Sequence, residues 1–337
     1  MSSLYDDAVL VMIPSAFKAE KLYSVKPTDG TGDFTVDRNA TATRINVLGI
    51  RETMAIDVPL LNYSSIGGCP VLLTQPQSIN LYLNSATLVT QDVVTTATSY
   101  TVSFEGTGSV AFTGAYTGSL AAAGAAPLDR VSLTFTSTVG TLTSTVTGSV
   151  INAQIENLSY DTTYIATVGS TVTRVADAVG GAGDAATFAS VNASGVLYAE
   201  ISAFANFPSS ARIISISNET SANRTMLFYN NTLNTIRTQV IVGGATQCDL
   251  TYGVDITDFH KVAIRWETPN GVDKGFELWA DGQVRDFYYT GSVYGTSVLT
   301  TLSLSNWDGG LNAYGNANQV AVYNYLTDAQ MIELTTP

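Results

Sequence analysis

Positive charge, histidine and cysteine are what this chain has least of. Its 337 residues hold 28 Asp and Glu against 15 Lys and Arg, a net charge of −13. Neutralising phosphates takes a concentrated basic patch, so the balance speaks against a nucleic-acid-binding protein. The single histidine, His260, argues against a Ser–His–Asp triad or a multi-histidine metal centre, and at the start of a strand it reads as structural. The two cysteines, Cys69 and Cys248, are too few for a disulfide framework or a zinc site and read as two buried, reduced thiols, with a single cross-domain disulfide between them as the alternative. Charge of either sign is scarce: charged residues make up 13% of the chain, about half the usual share. Thr, Ser, Ala, Gly and Val fill the space instead, which excludes charge-driven disorder and favours strands. The fold class that follows is all-β.

Long apolar runs are missing too. Residues 8–14 (AVLVMIP) are the only continuous apolar stretch near the start. Asp6 and Asp7 precede it where a secretion signal places Lys or Arg, and it is too short to span a bilayer. The expectation is a chain without membrane insertion, whose N-terminal region packs on the next segment or on a neighbouring subunit, the apolar run being the candidate docking surface. Residues 16–23 (AFKAEKLY) could form two helical turns.

Punctuation divides the rest. Residues 1–84 read as an irregular anchoring connector, with Pro59, Pro70 and Pro76 marking edges and turns. Residues 85–178 carry evenly spaced alternating runs: TSYTVSFEG, GSVAFTGAY, DRVSLTFTS, GTLTSTVTG and VINAQIENL. Val131, Leu133 and Phe135 face one way while Ser and Thr face the other, the pattern of a half-buried antiparallel strand in a small β-sandwich. A Gly- and Ala-rich stretch, 175–195, marks a boundary. Over 179–337 a second series follows, GVLYAEISAF, ARIISISNE, RTMLFYNN, TIRTQVIVGG, HKVAIRWE, GFELWADGQV, LTTLSLSNW and NQVAVYNY. That is enough for a two-sheet jelly roll, with a hairpin at Asp281–Gly282 and a short terminal helix capped by Thr327.

Three arginines, Arg38, Arg44 and Arg51, crowd one stretch of the connector, beside Asp37, Glu52 and Asp57. Arginine's planar fork suits a structural role, tying irregular strands to carboxylates and backbone carbonyls.

Two resemblances add to this reading. HKVAIRWETPNGVDKGFELWADGQV, followed by SLSNWDGGLNAYGNANQVAVYNYLTDAQMIEL, resembles the concanavalin A-like, laminin-G-type sandwich in order and spacing. FTVDRNATATRINVLGIRETMAIDVPLLNYS with CPVLLTQPQSINLYLNS, and AQIENLSYDTTYIATVGSTVTRVAD, are similar to blocks in structural proteins of tailed bacteriophages. The second resemblance implies a virion appendage, a tail or head fibre made in the bacterial host and assembled on the particle. It also implies a homo-oligomer (trimer or dimer), virion partners engaged through the N-terminal region, and contact with host-surface glycan.

Sugar sites in sandwiches combine aromatic platforms with planar polar groups from loops. The loop 305–318 offers Trp307, Asp308, Asn312, Tyr314 and Asn316, and the stretch 286–295 adds Tyr288, Tyr289 and Tyr294. The alternative for these side chains is packing at a sandwich edge. No cofactor is indicated by the residues. Calcium is a candidate through Asp308 by resemblance to laminin-G-type sandwiches, although an ion that takes six to eight oxygens finds no aspartate cluster here. Glycoside hydrolysis needs two carboxylates across a cleft, and Glu200, Glu267 and Glu277 show no paired spacing. The reading is a non-enzymatic appendage protein. A polysaccharide-degrading enzyme and a purely architectural decoration protein are the alternatives.

Overall fold

The computed structural model describes residues 4–16, 21–206, 212–229, 232–267, 275–296 and 298–337. It is an all-β protein built almost wholly from antiparallel ladders, with a short C-terminal helix. By spatial proximity the chain forms two compact units: residues 1–37, 71–74 and 177–337 make the first, residues 38–70 and 75–176 the second. The stretch read as one connector, 1–84, is therefore shared between the two.

In the first unit two sheets enclose a core. One runs, edge to edge, through Ser24–Lys26, Ala8–Met12, Gly315–Tyr323, Ser194–Ser202, His260–Glu267, Phe276–Ala280 and Gln283–Tyr288. The other is five-stranded, in the order Ala245–Gly253, Thr235–Val242, Arg224–Tyr229, Arg212–Ser217 and Thr301–Ser303. Strict alternation sets the inner faces. Leu197, Ala199 and Ile201 of the first sheet, and Ile214, Leu227, Ile236 and Val240 of the second, are all buried, as a two-sheet sandwich requires. This is the jelly-roll sandwich expected for the C-terminal region, with the hairpin turning at Asp281 and Gly282, both at positive φ.

The apolar N-terminal run is used differently from expectation. Ala8–Met12 pairs with Gly315–Tyr323, and Ala8, Leu10, Val11 and Met12 are buried by their own chain. A run apolar on both faces can be covered on both faces, and here a sheet position achieves that without a second subunit. The chain after it enters a 3-10 turn at Pro14–Ala16; of the expected helix over 16–23, residues 17–20 lie outside the described residues, and 21–23 are extended, with Leu22 bridged to Phe34.

The terminal helix Asp328–Thr335 starts where Thr327 caps it, with Gln330 completing a reciprocal capping box. It lies on the outer face of the first sheet, where Met331 and Leu334 join Ala8, Val196, Tyr198, Ala321 and Tyr323 in an apolar cluster. Arg265 fastens it: its guanidinium donates to Leu326 O (2.8 Å), to Asp328 Oδ1 (2.7 Å) and to Glu277.

In the second unit a three-stranded sheet (Val131–Thr136, Ser99–Gly106, Val150–Glu156) faces a four-stranded one (Gly118–Ala121, Ser109–Gly114, Gly140–Thr147, Gln91–Thr95). Between them lies a core that includes Tyr100, Val102, Phe104, Phe112, Phe135, Leu142 and Ile155. Register pairs Tyr100 with Phe135 and Val102 with Leu133, so the alternation read from the sequence becomes the inner face of a sandwich.

The three arginines lie in this unit and have structural partners. Arg38 is buried, donating to Ala40 O (3.0 Å) and Ala55 O (2.7 Å), while Asp57 accepts from its backbone N–H. Arg44 donates to Glu52 (2.7 Å) across the ladder that joins Ala42–Ile45 to Arg51–Met54. Arg51 reaches beyond the local acids to Glu105 of the small sandwich, where Arg130 and Asn152 donate to the same carboxylate. Burial alone would raise the Glu105 carboxyl, but the Arg51 and Asn152 hydrogen bonds and the two guanidinium charges outweigh it and hold it below the usual carboxylate range.

Candidate functional site

The five-stranded sheet and the 304–317 loop together define the site. Strands Arg212–Ser217 and Arg224–Tyr229 pair so that Arg212 stands opposite Tyr229 at the end of their ladder. The loop returns alongside: Ile213 N donates to Leu311 O (3.0 Å), and Ser215 Oγ donates to Ser305 O (2.6 Å). Gly315 then opens the long strand that crosses to the other sheet, at φ +148. A Cβ there would fall 2.2 Å from Ser202 O, so glycine is what allows this loop to close against the 194–202 strand.

A small cleft results, with about 20 Å³ of room for a water-sized sphere. Ile201, Ile214, Leu304 and Ala317 make it apolar. Its polar groups come from both sheets and the loop. The Arg212 guanidinium lies over the Tyr314 ring, 4.6 Å from the centroid. Asn312 Nδ2 donates to the Tyr314 hydroxyl (3.3 Å) and Asn316 Nδ2 to Ser202 Oγ (3.1 Å). Tyr229 is only 4% exposed, and its hydroxyl, together with Asn312 Oδ1, has no hydrogen-bond partner among the described residues. Burial pushes the Tyr229 phenol well above its ordinary value, so it keeps its proton. A buried hydroxyl left unpaired costs about 1–3 kcal/mol, a cost that a bound polar group would remove.

Of the residues picked out by sequence, Tyr314 and Asn316 line this cleft, and Asn312 adjoins it through the Tyr314 hydroxyl. Trp307 is half-buried and Asp308 exposed in the tight turn before it, closed by Gly309 N to Asn306 O (3.0 Å) and by Gly310 N to Asp308 Oδ1 (3.0 Å). Tyr288 and Tyr289 are elsewhere. They end and follow the strand Gln283–Tyr288, whose Asp286 accepts from Thr251 N (2.9 Å), beside the opposite edge of the five-stranded sheet. Both are about half exposed, and Phe287 packs edge-on against Tyr289 with ring centroids 4.9 Å apart. Tyr294 is buried, its hydroxyl 2.9 Å from Thr225 Oγ1, and serves packing. Arg212, Tyr229 and Ser202 are the cleft residues that sequence reasoning missed. Each sits at a strand end, where alternation no longer says which way a side chain faces.

The other chemistries have definite geometry as well. Among the described residues no group of three or more His, Cys, Asp or Glu side chains is placed to hold a metal ion. His260 is pinned, with Nδ1 3.0 Å from Asp281 Oδ2 and Nε2 2.9 Å from Asp255 O. Glu200 stands opposite Lys261 and Glu277 opposite Arg265, in the two ladders on either side of the strand His260–Glu267. Four residues of strand separate them, ~13 Å at ~3.3 Å per residue, more than the ~5–9.5 Å of a hydrolytic carboxylate pair. Glu277 is moreover engaged by Arg265 and by Trp279 Nε1 (2.8 Å). Both cysteines are free, but only Cys248 is buried; Cys69 is exposed, which corrects the expectation of two buried thiols. No helix among the described residues is long and apolar enough to cross a membrane.

No family model matches this chain, and no curated protein matches it. Solved structures similar to part of it include the CBM40 domain of Ruminococcus gnavus IT-sialidase bound to α2,3-sialyllactose, at 16% identity over 42% of this chain and 82% of that one, TM-score 0.34. A leech intramolecular trans-sialidase complexed with 2,7-anhydro-Neu5Ac is 15% identical over 44% and 24%, TM-score 0.35. The receptor-binding domain of botulinum neurotoxin mosaic serotype C/D is 10% identical over 47% and 39%, TM-score 0.37.

Proposed function

We propose that this chain is a non-catalytic appendage protein whose C-terminal sandwich binds glycan, of the tailed-phage fibre or adhesin type that its sequence blocks resemble. One observation carries the binding reading. At the Arg212–Tyr314 cleft a stacked guanidinium, an amide from Asn316 and a buried, unpartnered Tyr229 hydroxyl converge on an apolar-walled opening. Apolar walls with a few fixed polar groups suit a ligand that offers C–H surface and hydroxyl or carboxylate oxygens together. The virion location, the homo-oligomeric state and the attachment through the N-terminal region rest on the sequence resemblance. Weak sites repeated on one particle would gain avidity through effective concentration.

The test is retention of the full chain on an immobilised panel of acidic and neutral glycans, alongside Arg212→Ala and Tyr314→Ala. The expected result is that the wild type binds a subset and both variants lose it. Retention of no glycan, or equal retention of wild type and variants, overturns the reading. Release of new reducing ends from a bound glycan would favour the polysaccharide-degrading alternative.

A further inference from the structure

A second opening lies on the outer face of the first unit's other sheet, away from the space between the sheets. Register explains it. Ala263, Tyr198, Ala321 and Val11 stand side by side across four strands. The Tyr198 ring is buried between the flanking alanines in the apolar cluster beneath the terminal helix. Two residues along the strands comes the row Lys261, Glu200 and Gln319, although the ladder to Gln319 is irregular just beyond Glu200. The N-terminal Leu4 and Tyr5 rise on one side and Glu333 and Leu334 of the terminal helix on the other, giving a groove of about 560 Å³. That is within the ~300–1,000 Å³ of small-ligand sites.

Its polar groups retain unused capacity. Glu200 accepts one hydrogen bond, from Asn318 Nδ2 (3.0 Å), and Lys261 Nζ donates one, to Thr336 O (2.8 Å). A carboxylate and an ammonium can each make several more. Gln319 Nε2 is a long 3.5 Å from the Tyr323 hydroxyl. The Tyr198 hydroxyl lines the groove, and burial together with the Glu200 charge keeps it protonated, hence a donor.

We infer that this groove is a separate binding site for a neutral, hydroxyl-rich ligand of the saccharide class. Glu200 and Lys261 offset each other on the floor and Glu333 on the helix side adds a negative charge, so an anionic ligand is disfavoured. Carboxylate, ammonium, amide and phenol together supply acceptors and donors for hydroxyls, which are both. Leu4, Val11 and Leu334 supply an apolar wall for C–H faces. The site shares no residue with the Arg212–Tyr314 cleft and stands whether or not that cleft binds glycan.

The experiment is saturation-transfer-difference NMR on the full chain with lactose, maltotriose, cellotriose and chitotriose, each titrated to about 10 mM, the weak end of specific binding. Wild type, Glu200→Gln, Tyr198→Phe, the more exposed Gln319→Ala, and Arg212→Ala are compared, with circular dichroism to establish folding. The expected result is at least one sugar whose Kd rises about tenfold or more in each folded groove variant and is unchanged in Arg212→Ala. Binding by none of the four sugars, or binding that survives all folded groove variants, overturns the proposal.

Discussion

Arg212 and Tyr314 are held face to face, the guanidinium 4.6 Å from the ring centroid, although 102 positions separate them (314 − 212). They meet because Ile213 is bonded to the loop at Leu311. Stacking leaves the edge N–H groups of the guanidinium to a ligand while the ring fixes its plane. Arg212→Lys keeps the charge but loses the fork and most of the stacking. It is expected to weaken glycan binding about fivefold, near 1 kcal/mol, and Arg212→Ala to weaken it further. Titration calorimetry of both variants with a glycan retained by the wild type checks the ranking.

Arg51 and Arg44 come from the same short stretch but are expected to differ in energetic weight. Glu105 has a fully buried side chain, whereas the Glu52 side chain is 36% exposed. Arg51→Met strands a buried carboxylate with only Arg130 and Asn152 beside it and should cost about 3 kcal/mol. Arg44→Ala removes a pair that water partly screens and should cost within about 1 kcal/mol. Urea unfolding of the two variants measures the difference.

Two buried glutamates of the second unit should respond to pH in opposite senses. Glu105 titrates lower when folded, so its contribution is present above the unfolded value of about 4.3 and is lost as pH falls through the folded one. Glu156 is raised by burial, despite hydrogen bonds from Ser78 and Thr162. Folding then takes up a proton there, and stability falls as pH rises from about 4.3 through the folded value. Arg51→Met should flatten the acid limb of the Tm–pH profile, and Glu156→Gln should remove the decline above it. Thermal melts at a series of pH values read both effects.

How much of this was legible varied with the kind of signal. The run 131–136 alternates cleanly, and its Phe135 lies in the core as the alternation requires. The strand Ala245–Gly253 was not picked out, because its inward residues, Cys248 and Leu250, are spaced among Gln, Asp and Thr, and it follows a Gly-Gly turn that reads as punctuation. Ala8–Met12 was read as apolar correctly and placed wrongly, since burial on both faces fits a central strand as well as a subunit contact. Aromatics and amides pointed to the loop half of the cleft. Arg212 and Tyr229 come to it through strand pairing, which no local pattern discloses.

The thiols give a simple check on packing. Burial pushes Cys248 up to about 12, while Cys69 is exposed. A native chain at pH 8 should therefore react with Ellman's reagent at one thiol, and an unfolded chain at two. Cys69→Ser should abolish the native reaction.

The most direct measurement of the central claim is Tyr229→Phe, assayed for both stability and glycan affinity. Its hydroxyl is buried and has no partner among the described residues, so if it waits for a ligand its removal helps the empty fold and harms the complex. The account predicts a gain of about 1 kcal/mol in unfolding free energy with a five- to tenfold loss of affinity, ~1–1.4 kcal/mol. Unchanged glycan affinity in the stabilised variant would contradict it.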